Sequence, residues 1–335
     1  MTASEVPVLT GSGATSRAVR TAALPLLFIV MWSSGYVAGK LGLPYAGPFT
    51  LIFIRFSTAA LILLTVALVT RAPWPKTWAA AGHIAVVGVL IQATQFSCLY
   101  SGMKLGVTAG VSALIVGTMP LFTALGAGWF LGETVTARQW LGSFIGLTGV
   151  FLVVSQKIEF GHGRPLGYLA VAGALLGITS GTLYQKKYCG GMDLRTGGFI
   201  QLSVASTITF VLALSCESLR VTWTPAFVLS SAWLSVINSI GAISLLFIMI
   251  RRGEASRVAH LFHLIPSVTA VMGFLLLSET LKPVIVLGFV VTASGVYLAT
   301  RKGRVAAKAT AGAPKLTHAV IAQPRATETD IRRAT

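Results

Sequence analysis

The chain has 335 residues, of which 54% are hydrophobic and only 10% charged, and its formal net charge is +17. A soluble domain carries about 25% charged residues, so this composition excludes an ordinary soluble globule. The apolar residues form solid runs of roughly 18 to 22, long enough to cross a hydrocarbon core, and this excludes an outer-membrane barrel with its short alternating strands. The sequence predicts a polytopic helical membrane protein with the lipid bilayer as its surroundings.

The apolar runs predict ten membrane helices. In chain order they cover residues 23–40, 48–70, 79–102, 107–131, 136–155, 165–185, 196–216, 228–250, 257–277 and 283–300. Residues 1–22 and 301–335 are predicted to be disordered tails. With both tails in the cytoplasm, the inner segments hold 19 Lys and Arg residues and the outer segments six, as the positive-inside rule requires. Because the basic residues lie between helices and in the tail, we expect no nucleic-acid partner.

An internal repeat relates the two halves of the chain. The segment WSSGYVAGK, residues 32–40, returns 146 positions later as ITSGTLYQK, residues 178–186, and both copies end in Lys. The same offset pairs Pro, Gly and Glu-Thr positions along the rest of the chain. The predicted repeats are residues 23–156 and 157–300, with five helices each. Since five is odd, the second copy is inverted in the membrane, an architecture typical of carriers.

The first helix carries Trp32, Ser33 and Ser34 at membrane depth. Polar groups are costly there and usually face a cavity or a partner helix. The spacing of Gly35 and Gly39 is that of close helix packing, so the glycines are interpreted as packing residues. The two hydroxyls and the indole are candidates for substrate contact.

Arg55 is the most costly residue in the chain, about 10 Å along the second helix at 1.5 Å per residue. Two interpretations stay open from the sequence. The guanidinium snorkels to the outer interface, or it serves an anionic group or a helix-capping network inside the protein. The repeat places Gln201 at the matching position of the second half, so an anion-binding role rests on Arg55 alone.

Two amides, Gln92 and Gln95, lie three residues apart and therefore on one face of the third helix. The repeat pairs Gln92 with Asn238 of the eighth helix, which predicts a midplane site built from both halves. The alternative is simple hydrogen bonding between helices. Tyr100 and Tyr184 are further candidates for substrate selection.

The ninth helix carries His260 and His263, again three apart, before Pro266. Proton coupling through these histidines is a hypothesis, because His alone titrates unperturbed near neutral pH. No acid joins them, so no metal site is predicted. Pro266 and its counterpart Pro120 are expected to break their helices and to serve in gating.

The acidic residues do not predict catalysis. Glu133 and Glu279 follow the fourth and ninth helices, where they are expected to be structural caps that begin the next helix. No carboxylate relay and no phosphate-binding or metalloprotease motif is present. We therefore expect no cofactor and no enzyme activity.

These features resemble the EamA-type branch of the drug/metabolite transporter superfamily. The resemblance is carried by WSSGYVAGK at residues 32–40, by Arg55-Phe56 in the second helix, and by the turn glutamates Glu133 and Glu279. It implies a bacterial inner-membrane carrier with its cavity between the halves and with the fifth and tenth helices at the periphery.

The function implied is export of an amino-acid-like or amine-like metabolite, or of a toxic compound, by alternating access. The alternative within carriers is uptake of a phosphorylated or nucleotide-linked sugar, although such a substrate favours more cations than Arg55. A membrane enzyme or a scaffold acting through the basic tail is the alternative outside carriers. Homodimer formation is left open.

Overall fold

The computed structural model describes residues 12–131, 135–159, 163–251, 262, 264–280 and 282–300, and within these ranges the side chains of residues 24–126, 130, 135–155, 163–245, 248–249, 262, 264–280 and 282–299. All regular structure in these residues is helical. In chain order the helices are α1 (Ser12–Gly42), α2 (Pro48–Val69), α3 (Trp78–Lys104), α4 (Ala109–Val116 and Met119–Leu131), α5 (Ala137–Glu159), α6 (Pro165–Tyr188), α7 (Leu194–Cys216), α8 (225–251), α9 (Ile265–Leu277) and α10 (Pro283–Thr300).

The described helices lie close to the predicted ones, with one clear difference at the beginning of α1; most of the first part of the predicted ninth helix, residues 257–261 and 263, lies outside the described residues. This helix starts at Ser12, so residues 12–22, predicted as part of a disordered tail, are helical. The predicted C-terminal tail, 301–335, lies outside the described residues.

Eight of the helices are long and apolar enough to cross a membrane, from Leu24–Gly42 to Pro225–Leu245. The two remaining apolar helices, Ile265–Leu277 and Pro283–Ala299, are shorter. Several helices begin where the sequence favours it. Pro48, Pro165 and Pro225 occupy first turns, and the hydroxyls of Thr77, Thr108 and Thr224 accept hydrogen bonds from the next turn.

Three helices are irregular near their middles. In α3, Gly88–Thr94 forms π-helical turns, and in α8 the same geometry runs over Trp233–Ala242. These stretches are related by the 146-residue offset, so both halves carry the irregularity at one repeat position. The helix α4 is interrupted at 117–118, just before Pro120, as expected for a proline that removes a backbone donor.

Helices of the first half pack against helices of the second: α1 against α8, α2 against α7, α3 against α6, α4 against α9 and α5 against α10. The pairs are antiparallel. In the second pair, the Phe53 and Phe210 rings lie 4.8 Å apart, and the Ser57 and Ser206 hydroxyls hydrogen-bond at 2.7 Å.

The pair of α5 and α10 meets backbone to backbone at glycines. A Cβ added at Gly142 would lie 2.7 Å from the Gly295 carbonyl oxygen, and one added at Gly149 would lie 2.7 Å from the Gly288 oxygen. Gly142 and Gly288 are repeat partners, and so are Gly149 and Gly295. The contact therefore maps onto itself under the 146-residue offset, as a pseudo-twofold axis between the two helices requires.

Candidate functional site

A cavity of about 110 Å³ lies between α1, α2, α3, α6, α7 and α8. Its walls are mostly apolar and include Trp32, Ile91, Phe96 and Leu99. The side chains in its lining that carry polar groups include Tyr36, Arg55, Gln92, Gln95, Tyr100, Asn238 and Ser239. An apolar cavity with a few convergent polar groups is the usual form of a small-molecule site.

A larger cavity of about 670 Å³ continues from the first toward one end of the bundle. Both are lined by Trp32, Gln92 and Ser239. The larger one extends to residues 192–195, at the beginning of α7, and to Ile248, which is exposed. The two volumes therefore form one path from the surface to the middle of the bundle, and this end is called the open end below.

Arg55 lies at the deep end of that path. Only 5% of the residue is exposed. Its Nη1 donates to the Tyr100 hydroxyl at 2.9 Å, its Nε donates to the Ser239 hydroxyl at 3.0 Å, and its guanidinium carbon lies 4.4 Å from the centre of the Phe96 ring. The side chain turns into the protein rather than snorkelling, and both of its hydrogen-bond partners are neutral.

The position of Tyr100 depends on a glycine of α1. A Cβ added at Gly39 would lie 2.7 Å from the Tyr100 ring, so only glycine lets the ring lie against the α1 backbone and hold its hydroxyl on Arg55. Gly35 serves similarly, because a Cβ there would lie 2.7 Å from the Asn238 Nδ2 atom. The two glycines of the WSSGYVAGK segment thus make room for side chains of the cavity.

The three predicted amides converge on the cavity. Among the described residues, neither Gln92 nor Gln95 has a hydrogen-bond partner, so both amides are available to a ligand. The Asn238 Nδ2 donates to the Met31 carbonyl at 2.6 Å, whereas its Oδ1 is buried without a partner in the described part of the chain. Gln92 and Asn238 both lie in the π-helical turns, which often occur at functional sites.

An aromatic cluster lines the side of the cavity formed by α1. The Trp32 indole lies 5.5 Å from the Phe28 ring and 5.2 Å, edge to face, from the Phe262 ring. Such pairs hold an aromatic side chain in one orientation. Trp32 therefore presents a fixed apolar wall to both cavities.

The mouth of the path carries a charge pair that neutralises itself. The Arg195 Nη2 lies 2.8 Å from the Asp193 Oδ2. Hydrogen bonding to Arg195 lowers the pKa of Asp193 below its ordinary value, although burial opposes this change. Because Asp193 and Arg195 compensate each other, the mouth adds no net charge from this pair to the path that leads to Arg55.

Comparison with known proteins gives the family. The sequence profile described as the EamA-like transporter family matches residues 20–155 and again residues 165–301. The chain belongs to the EamA-like transporter family. This confirms the resemblance inferred from the sequence motifs, and it makes the chain a multi-pass membrane protein that acts in membrane transport.

Relatives of this EamA-like transporter cover most of its length. It is 27% identical over 296 residues to the uncharacterized transporter YvbV of Bacillus subtilis, covering 88% of this chain and 95% of that protein. It is 27% identical over 285 residues to the probable amino-acid metabolite efflux pump of Escherichia coli, covering 82% and 93%. A crystal structure that is 16% identical matches 83% of the chain with a TM-score of 0.59, which shows a shared fold.

Three predicted site residues lie outside both cavities. The Ser33 hydroxyl donates to the Ile265 carbonyl at 3.3 Å, and the Ser34 hydroxyl accepts from Trp233 Nε1 at 2.8 Å, so both link α1 to neighbouring helices. The Tyr184 hydroxyl is 2.7 Å from Nδ1 of His83, between α6 and α3. In this structure they connect helices, and their contact with substrate stays a prediction.

The gating and proton candidates are only partly described. Pro120 follows the interruption of α4, and Pro266 lies in the first turn of α9, where a Cβ added at Gly117 would lie 2.6 Å from its Cγ. The helices α4 and α9 therefore meet at Gly117 and Pro266. His260, His263 and Glu133 lie outside the described residues.

The path is closed at its other end by contacts between helix ends. The Lys40 Nζ donates to the carbonyls of Met103 at 2.6 Å and Val107 at 3.0 Å, and the Lys104 Nζ donates to the Leu43 carbonyl at 2.7 Å. Lys40 therefore ties the end of α1 to the connection between α3 and α4, because unpaired carbonyls at a helix end attract a cation.

Two glutamates complete the closed end. The Glu279 carboxylate accepts from the Ala109 amide at 2.6 Å and from the Gly110 amide at 3.3 Å, so it caps α4. The sequence had predicted that it would cap the helix that follows it. Glu217 caps α2 in the same way, accepting from the Phe49 and Thr50 amides at 2.8 and 2.9 Å. Each glutamate joins the two halves of the transporter.

Sequence reasoning missed Ser239, Phe96 and Glu217. Phe96 stands four residues before Tyr100 on the same helical face, and Ser239 follows a predicted site residue directly, so both had a weak signal. Glu217 had none, because its partners lie in α2, more than 160 positions earlier.

Proposed function

We propose that this EamA-like transporter is a secondary carrier that exports a small metabolite or toxic compound by alternating access around the two joined cavities. The observation that carries the proposal is the asymmetry of the path. The path reaches the surface at residues 192–195 and ends at Arg55 and Tyr100, where contacts between the two halves close it. A carrier needs such a site, accessible from one end at a time.

The membrane arrangement proposed is ten spans in two inverted five-helix repeats, with both termini in the cytoplasm. Its support is the 146-residue repeat, the self-mapping contact of α5 with α10, and the excess of basic residues on the inner side. In this arrangement the open end faces the cytoplasm. The conformation described would then be the one that takes up substrate for export.

The substrate proposed at this level is amino-acid-like or amine-like, in a bacterial inner membrane. The support is the name of the Escherichia coli relative, a probable amino-acid metabolite efflux pump. Proton exchange through His260 or His263 is proposed as the driving reaction, and a homodimer as the assembly. No catalytic step is proposed.

The proposal is tested by metabolite profiling of medium and cytosol. Bacterial cells that express the chain are compared with empty-vector cells at equal growth. A compound that accumulates in the medium and falls in the cytosol only in the expressing cells is the expected result, and it identifies the substrate. Identical profiles contradict constitutive export, and accumulation inside the cells contradicts the direction.

Replacing Gln92 by alanine is expected to weaken export without destabilising the protein. The Gln92 amide has no partner among the described residues, so its loss removes a substrate contact and leaves no protein group unpaired. One such hydrogen bond contributes about 0.5–1.5 kcal/mol, which corresponds to a roughly 2- to 12-fold lower initial rate below saturation. The measurement is initial efflux of the identified compound, with thermal unfolding as the control. Unchanged efflux at equal membrane levels would remove Gln92 from the site.

A further inference from the structure

We infer that the substrate is a small carboxylate with an apolar or aromatic body, and that its carboxylate binds Arg55. The inference rests on the proposed function for the location of the site and narrows its substrate class. It distinguishes between two substrate classes that neither the relatives nor the sequence distinguish, amino-acid-like acids and amine-like cations.

The first observation is the unused hydrogen-bonding capacity of Arg55. A guanidinium has five N–H donors. One donor bonds Ser239 and one bonds Tyr100, and the remaining three have no protein acceptor among the described residues. The free donors include both protons of Nη2, which together with Nη1 form the fork that matches a carboxylate.

The second observation is the uncompensated charge. The structure describes three carboxylate side chains, and each is engaged elsewhere: Asp193 with Arg195, Glu217 with α2 and Glu279 with α4. No described carboxylate lies within salt-bridge distance of Arg55. A buried cation without an anionic partner is costly even where neutral groups accept some of its hydrogen bonds, so an anion that enters the cavity relieves more of this cost than a neutral molecule does.

The third observation concerns the rest of the cavity. Apart from its few polar groups, the lining is aromatic and aliphatic and includes Trp32, Phe96 and Leu99, and the Phe96 ring lies 4.4 Å from the Arg55 guanidinium carbon. A substrate body that packs there is apolar. An ammonium group would be repelled by Arg55 in a medium less polar than water, where charges interact more strongly. A simple amine is therefore the class that the deep cavity disfavours most.

Binding of an anion to Arg55 would also affect the contacts near the closed end of the path. The donor that Arg55 extends to Tyr100 holds that ring against Gly39, beneath the closed end. A carboxylate that draws the guanidinium toward the cavity competes with the Tyr100 hydroxyl for this donor. Substrate binding would then weaken the contact that holds Tyr100 in its position near Lys40 and the closed end of the path.

The experiment uses three probes of similar size and shape that differ in charge: phenylacetate, phenylacetamide and phenethylammonium. Binding to the purified full-length protein in lipid nanodiscs is measured with radiolabelled phenylacetate and by competition with the other two. We expect phenylacetate to bind about 10- to 100-fold more tightly than the amide, the range for a hydrogen bond to a charged group, and the ammonium to bind most weakly.

Variants assign the preference to Arg55. In Arg55→Gln the preference for phenylacetate over phenylacetamide is expected to vanish, whereas Arg55→Lys keeps part of it. The control Arg220→Gln, at an exposed arginine between α7 and α8 that lines neither cavity, keeps it fully. Equal binding of the three probes to the wild type, no binding of phenylacetate, or a preference that persists in Arg55→Gln would each overturn the inference. The wild-type comparison holds even where a variant fails to fold.

The outcomes also separate this inference from the proposed function. Export of a neutral or cationic compound, with no preference among the probes, would support the proposed carrier function and contradict the inference that the substrate is a carboxylate. Phenylacetate binding that depends on Arg55, without any exported compound in the profiling experiment, supports the anion site and contradicts export.

Discussion

Replacing Glu279 by glutamine is expected to open the closed end of the path. The carboxylate accepts from the first amides of α4, where the helix dipole favours a negative charge, and it attracts the Lys40 ammonium electrostatically. Glutamine keeps an oxygen acceptor but loses the charge. A loss of about 1–2 kcal/mol is expected, which increases the open population roughly 5- to 30-fold.

Hydrogen–deuterium exchange measures this opening directly in the protein reconstituted in nanodiscs. In Glu279→Gln, peptides covering residues 36–43 and 105–117 are expected to exchange faster, because both ends of the Lys40 contact become free. The matched control is Glu217→Gln, the same chemical change at the amino end of α2. It should accelerate exchange near residues 47–52 and leave 105–117 unchanged.

Two results would contradict a closing role for Glu279. Exchange of residues 105–117 that equals the wild type would show that the charge is dispensable. Equal acceleration throughout the chain would show general destabilisation instead of opening at one end. Lys40→Met is expected to reproduce the Glu279→Gln pattern, since it removes the other charge of the same closure.

Replacing Gly295 by alanine is expected to cause the largest loss of stability among the glycine variants of α10. A Cβ there would meet the Gly146 backbone nitrogen and would lie 2.6 Å from the Gly142 carbonyl oxygen. Backbone atoms cannot relieve such a contact by changing rotamer, as side-chain atoms can, so α5 and α10 must separate. Overpacking of this kind costs about 1–3 kcal/mol, or several degrees in Tm.

The measurement is thermal unfolding of the purified variants in one detergent. The control is Gly82→Ala in α3, where the added Cβ meets nothing within 4 Å. That change is expected to be neutral or to stabilise the protein by about 0.5–1 kcal/mol, because alanine is the better helix former. A Gly295→Ala protein as stable as Gly82→Ala would show that the two helices are not packed as the structure describes.

Much of this transporter can be predicted from its sequence for a simple physical reason. Backbone groups inside a membrane must be satisfied within each segment, so an apolar run of sufficient length becomes a helix. The repeat could be recognised because its Gly and Pro positions are constrained by packing and backbone shape. Arg55 could be recognised as a site candidate because a charge at membrane depth is costly wherever it points.

What the sequence does not determine is which side chains share the cavity. Ser33, Ser34 and Tyr184 have the same polar character as Gln92, yet they bond neighbouring helices while Gln92 faces the cavity. The difference is the rotation of each helix against partners more than 80 positions away in the chain, and periodicity within one helix carries no information about that rotation. The π-helical turns shift the faces of α3 and α8 further, and hydropathy does not report them.

The closure of the path is likewise a tertiary property. The sequence predicted Glu279 as a cap of the helix that follows it, the local solution. In the folded chain its carboxylate lies 2.6 Å from the Ala109 amide, 170 positions away. The free amides at the amino end of a helix can bind any carboxylate that lies close to them. The packing of α9 on α4 alone determines that this carboxylate is Glu279. The sequence therefore determined the helices, their repeat and the buried cation, and the tertiary structure decided which groups surround that cation and which end of the path is closed.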